Sequence, residues 1–180
     1  MPQGELFIRS KKTRLLTSGA AGLLATRPSG WPVASDGNGW VDAYLRYGLS
    51  LEDGALARLM APAPNKKPTN IKLVGSHGVA YTGTTIGFKD EKTMSLDAHI
   101  VNEGKSDYLS KYGNLIDEVL DGGYFQVRIS TQPSKVRHLL YDDCQISFMK
   151  LSRMAKMTLS VTEPHPEITD ERVTGFNSIT

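Results

Sequence analysis

The sequence predicts a mainly β fold with one flanking helix, built as an antiparallel sandwich or a rolled barrel. Three observations lead there. Residues 105–120, KSDYLSKYGNLIDEVL, place Tyr108, Leu109, Tyr112, Leu115, Ile116, Val119 and Leu120 at the spacing of one buried helical stripe, closed by Asp121-Gly122-Gly123. The segments on either side, TMSLDAHIV and YFQVRIS, alternate apolar and polar residues with period two. A doubly wound parallel sheet needs helices between most of its strands, and the chain shows one strong helix.

The elements follow in order. GELFIRS reads as a short strand. The stretch from Gly19 to Gly39 is rich in Gly, Ser, Ala and Pro, so residues 1–39 read as an N-terminal arm or long loop. Within it, Leu23, Leu24 and Trp31 are the residues able to bury apolar area, against a neighbouring subunit if the arm orders. The folded domain is expected over 40–163. WVDAYLRYG alternates from Val41 to Tyr47 as a strand does. SLEDGALARLM follows as a short helix, with Ser50 placed to cap it and Glu52 and Asp53 near its positive end.

APAPNKKPTN, residues 61–70, holds Pro62, Pro64, Lys66, Lys67 and Pro68 and is expected to be an exposed, extended loop. These five residues, with Leu23, Leu24 and Trp31, are the candidate subunit contacts. IKLVG and VAYTGTTIGF are short strands around the turn Gly75-Ser76-His77-Gly78. TMSLDAHIV turns Met94, Leu96, Ala98 and Ile100 to one face and His99 to the other. After the helix, YFQVRIS buries Phe125, Val127 and Ile129. VRHLLYDDCQISFMKL is two strands or one bent strand, with the break at Asp142-Asp143. RMAKMTLSVTE sets Ala155, Met157, Leu159 and Val161 on one face. Residues 164–180 carry two prolines and no periodicity, and leave the sheet as a tail that includes Val173 and Phe176.

Composition narrows the function. The 180 residues suit one domain, and 39% hydrophobic content suffices for one core. The net charge of +2 is spread along the chain, without the basic face that nucleic-acid binding requires, so no direct nucleic-acid contact is expected. No stretch is apolar enough to span a membrane. The run at 15–25 follows Lys11-Lys12-Thr13-Arg14 as a leader's would. It is broken by Thr17, Ser18 and Gly19 and preceded by a strand, which argues against an export signal. The single cysteine, Cys144, makes no disulfide with another residue of the chain and no zinc framework. It reads as a small hydrophobe in a strand of a cytoplasmic product.

No catalytic pattern emerges. Histidines 77, 99, 138 and 165 lack metal-ligand spacing, so neither a metal nor a cofactor is expected. The chain has no G-x-S-x-G elbow and no phosphate-binding loop. Asp142-Asp143 make a carboxylate pair with Asp97 or Glu118 only if the fold joins them. The late methionines, Met149, Met154 and Met157, suit core filling or an adaptable binding face.

From about residue 40 to 166, the order of elements resembles the distal tail and tail-tube proteins of phages and prophages, particularly those of Bacteroides-type bacteria. The residues that carry it are the helix-plus-glycine segment YLSKYGNLIDEVLDGG and the closing pattern of Met154, Lys156, Leu159, Glu163, Pro164 and Pro166. The resemblance implies a β-sandwich or rolled barrel of tail-tube type that assembles in rings such as hexamers, with other tail proteins as partners. It implies assembly in the host cytoplasm and residence in the virion tail, as tube or distal hub. It carries over no active-site residue, and the chain is read as structural rather than enzymatic. The alternative from the residues alone is a monomeric sandwich module that binds carbohydrate or protein.

Overall fold

The computed structural model describes residues 6–17, 39–65, 69–72, 79–82, 89–101, 108–149 and 154–169. Seven strands form one antiparallel sheet: β1 (Leu6–Ser10), β2 (Val41–Asp42), β3 (Leu49–Leu51), β6 (Lys92–Ile100), β7 (Tyr124–Ile129), β8 (Val136–Met149) and β9 (Met154–Glu163). Their order across the sheet is β2-β1-β7-β8-β9-β6-β3. β4 (Thr69–Lys72) and β5 (Val79–Thr82) pair with each other in a separate two-stranded sheet. The short helices are α1 (Lys11–Thr17), α2 (Ala43–Tyr47), α3 (Asp53–Met60) and α4 (Tyr108–Leu115), and α4 continues as a π-helical turn, Ile116–Leu120.

The connection between the two outermost strands shows that the sheet is rolled. Six spacings of about 4.8 Å would hold β2 and β3 roughly 29 Å apart in a flat sheet. The seven steps from Asp42 to Leu49 (49 − 42) reach at most about 25 Å when fully extended, and five of the residues are coiled in α2. The sheet therefore curls until its outer strands approach, and α2 bridges them. Ala43 and Tyr47 enter the core from this bridge.

The apolar face of each alternating strand lines the inside of the roll. Leu6 and Ile8 join Met94, Leu96, Ala98 and Ile100, Phe125 and Val127, and Met157, Leu159 and Val161 in one buried cluster. Leu115, Val119 and Leu120 close one opening as the apolar stripe predicts, although the stripe is narrower than expected because Leu109 is 47% exposed. Residues 105–107 of the expected helix lie outside the described residues.

Several local expectations are corrected. Residues 43–47 are helical, not extended. The Asp42 carboxylate accepts hydrogen bonds from the backbone N–H groups of Tyr44 (2.9 Å) and Leu45 (3.0 Å), and Gly48 ends the turn at φ 65°. Ser50 is a β3 residue. The N-cap of α3 is Glu52, whose side chain makes no capping bond.

The boundary at residue 39 does not delimit the sheet, because β1 pairs along its whole length with β7, from Leu6 opposite Ile129 to Ser10 opposite Phe125. Residues 18–38 of the arm lie outside the described residues. β8 is one strand, with a bulge between Tyr141 and Asp143 where the break was expected. The tail does not leave the sheet at once, since the Val136 N–H donates to the Thr169 carbonyl at 2.9 Å.

Charged residues also enter the buried face at one end of the roll. Glu163 is fully buried and accepts hydrogen bonds from Arg137 Nη1 at 3.2 and 3.4 Å. Its cross-strand neighbour Lys92 donates to the carbonyls of Arg58 and Ala61, both at 2.6 Å, at the C-terminal end of α3, whose last carbonyls have no partner within the helix. Burial holds the Lys92 ammonium below its ordinary pKa; Glu163 opposes that shift and Arg137 adds to it.

Candidate assembly surface

β8 is far longer than β7, its neighbour on one side, and this mismatch creates the surface. β7 pairs only with residues Val136 to Leu140, while β9 pairs with β8 from Leu140 to Met149. The chain before Tyr124 turns away through Asp121–Gly123 into the π-helical turn, held where the Tyr141 N–H donates to the Gly123 carbonyl at 2.7 Å. From Asp143 to Phe148, β8 therefore has a ladder partner on the β9 side only, among the described residues.

The two faces of this edge differ. Cys144, Ile146 and Phe148 stand opposite the buried Leu159, Met157 and Ala155 and share their face. Gln145 and Ser147 stand opposite Thr158 and Lys156 and point outward. α4 lies on the apolar side. The Phe148 ring meets Tyr112 edge-on at 5.8 Å and Tyr108 at 6.1 Å. Phe148 nevertheless stays 43% exposed, and Leu109 and Met149 are exposed beside it. The result is an open strand edge bordered by apolar and aromatic side chains.

Another edge of the sheet is guarded. Where β6 runs past the short β3, α3 lies along it. The Glu52 N–H donates to the Asp97 carbonyl at 2.9 Å, and Arg58 Nε donates to the Ser95 carbonyl at 2.6 Å. Natural sheets commonly blunt their edges in this way, and among the described residues the open stretch of β8 has no such cover.

The groups considered for chemistry hold structural partners. Asp97 accepts from Thr158 (2.9 Å) and Arg58, Asp142 accepts from Thr162 (2.7 Å), and Glu118 binds Arg46 and Tyr47. The fold does not join these carboxylates in a pair. His138 is buried on β8 opposite Gln126, and its Nδ1 lies 2.6 Å from the Tyr124 hydroxyl. His99 lies 3.7 Å from Glu52, and His77 is outside the described residues.

Burial, together with the Asp143 carboxylate, pushes the Cys144 thiol up, and a hydrogen bond with Tyr112 only partly opposes them. That shift disfavours the thiolate a nucleophile requires. No group of three or more His, Cys, Asp or Glu suited to a metal occurs among the described residues. No described helix is long and apolar enough to cross a membrane.

Of the candidate contacts named from sequence, Pro62 and Pro64 are exposed, with Ala63 buried between them. The loop is tied down just beyond, where Asn65 bridges Lys89 and the Asp90 N–H donates to the Pro64 carbonyl at 2.9 Å. Leu23, Leu24, Trp31, Lys66, Lys67 and Pro68 lie outside the described residues, as do Val173 and Phe176. The β8 edge itself was missed. Its signal is a 14-residue strand beside a 6-residue one, which emerges only once the pairing is known.

No family model matches the chain, and no curated protein does. Among solved structures, the chain is similar to the crystal structure of the SPP1 Dit protein, described as a paradigm of the hub adsorption apparatus in phages infecting Gram-positive bacteria. The TM-score is 0.40 at 16% identity, over 56% of this chain and 39% of that one. The chain thus spans about two fifths of the length of the protein it matches.

Proposed function

We infer that the chain is a structural subunit of a phage or prophage tail, as tube or distal hub, working by assembly with copies of itself and with other tail proteins. The observation that carries this reading is the open edge of β8 from Asp143 to Phe148, bordered by exposed apolar side chains. A domain that works alone blunts such an edge; an assembly subunit keeps it for a neighbour that satisfies its backbone groups. The element order and the closing pattern from Met154 to Pro166 give the assembly its tail character.

In this reading the ring closes through the arm residues Leu23, Leu24 and Trp31 and the loop residues Pro62, Pro64, Lys66, Lys67 and Pro68. The subunit assembles in the host cytoplasm and ends in the virion tail, and it has no catalytic role. Negative-stain electron microscopy of the concentrated chain, alone and mixed with the other proteins of its tail, tests the reading. Closed rings of uniform diameter are expected. Isolated single subunits in both samples would contradict it.

A further inference from the structure

We propose that the β8 edge of one chain pairs antiparallel with the β8 edge of a second copy, about a two-fold axis at Ile146. The inference goes beyond the ring. An isologous contact closes on itself and cannot propagate around a ring, so this one joins two subunits by a surface separate from the arm and loop contacts.

The occupant follows from the strand's own pattern. A two-fold axis perpendicular to the sheet keeps each face on its own side, so residues pair within one face. Centred on Ile146, the register sets Ile146 against its counterpart, Cys144 against Phe148 of the copy, and Gln145 against Ser147. The apolar row of Cys144, Ile146 and Phe148 then continues unbroken across both chains, and the polar row does the same outside. Shifting the centre to Gln145 would set Phe148 against the bulged Asp142, and shifting it to Ser147 would set Cys144 against Lys150. The first alternative leaves Phe148 without an apolar partner, and the second leaves Cys144 without one.

Charge selects the same occupant. The open stretch of β8 begins with Asp143, next to Asp142 at the bulge, and the residue that follows Met149 in the sequence is Lys150. An antiparallel copy lays each acidic start beside the other's basic end, and opposite charges across strands are favourable. A parallel copy would oppose acid to acid. Backbone donors and acceptors along Asp143–Phe148 gain partners in the same step, and Phe148 loses its solvent exposure.

The test is an Ile146→Cys substitution in a Cys144→Ser background, under mild oxidation by copper–phenanthroline and air. Two thiols facing each other across the axis fall within disulfide reach and give up two protons and two electrons to the oxidant. Most of the chain should then run at twice the subunit mass and return to the subunit mass on reduction. An Asp143→Cys, Cys144→Ser control, whose thiols lie away from the axis, should stay largely uncrosslinked.

Absence of the crosslink, or equal crosslinking in the control, would overturn the proposal. Hydrogen exchange on the unaltered chain guards against a folding defect in the variants. Amides within Asp143–Phe148 should slow as concentration rises, and concentration-independent exchange there overturns the pairing. Rings without the Ile146 crosslink would remove the two-fold and leave the tail reading. Crosslinked pairs that never form rings with the other tail proteins would remove the ring and leave the two-fold.

Discussion

The guanidinium of Arg46, on α2, grips the carboxylate of Glu118, in the π-helical turn. Nη2 donates to Oε1, Nε donates to Oε2 at 3.2 Å, and the Tyr47 hydroxyl donates to Oε2 at 3.0 Å. The Glu118 carbonyl also accepts from the Ser10 hydroxyl. One residue therefore ties the bridge between the outer strands to the closing helix and to β1. Glu118→Ala strands a buried guanidinium, a change that typically costs about 3–5 kcal/mol. Urea unfolding should show that loss, and the paired change of Arg46→Met with Glu118→Leu should recover part of it.

Gly48 allows α2 to stop where it does. Its φ of 65° is left-handed, and an added Cβ would sit 2.2 Å from the Val101 carbonyl oxygen. The Val101 N–H in turn donates to the Gly48 carbonyl at 2.8 Å. Gly48→Ala is expected to destabilise by more than about 1 kcal/mol, because backbone strain and a clash with main chain add. A thermal melt of the variant would reveal it; an unchanged melting temperature would mean that the turn relaxes freely.

The helical stripe divides into buried and exposed positions. Leu115 is 2% exposed, so Leu115→Asp places an unpaired carboxylate in the core and should cost several kcal/mol, on the order of 3 or more. Leu109→Asp should change the urea midpoint little, since Leu109 stands at the surface. Equal losses in the two variants would mean that the stripe packs differently.

Asp97 predicts part of the acid limb. Hydrogen bonds from Thr158 and Arg58 hold its carboxyl below its ordinary 3.8. With the folded pKa depressed, its contribution is complete above the ordinary carboxylate range and is lost as pH falls through the folded value. The Arg58 pair is partly exposed, so the effect is modest. From about pH 5 to about pH 2, the unaltered chain should lose more stability than Asp97→Asn. Parallel pH curves for the two proteins would remove Asp97 from the account.

The sequence is legible where a strand has one wet face and one dry face. β6, β7 and β9 could be read residue by residue because every second side chain is buried. α2 was misread because five residues of helix also fit a strand's alternation, and the decisive signal, Asp42 as cap and Gly48 as stop, lies at its two ends. The roll was not legible in detail because it depends on β1 pairing with β7 across more than a hundred residues. Lys92 and Glu163 carried an overlooked hint, since both continue the buried parity of their strands. The assembly surface is equally non-local: Phe148 reads as an ordinary strand residue until β7 is seen to begin only opposite Leu140.

Whether the chain assembles is read from its mass against concentration. Deleting residues 1–38 would remove β1 from the sheet, so the arm's role is better probed by replacing residues within 18–38. The measurement is light scattering after size exclusion on the unaltered chain across a concentration series, alone and with the other tail proteins. The mass should climb to the plateau of a closed multiple of the subunit. A mass fixed at one subunit up to the highest concentration, with no larger species when the other tail proteins are added, would contradict it.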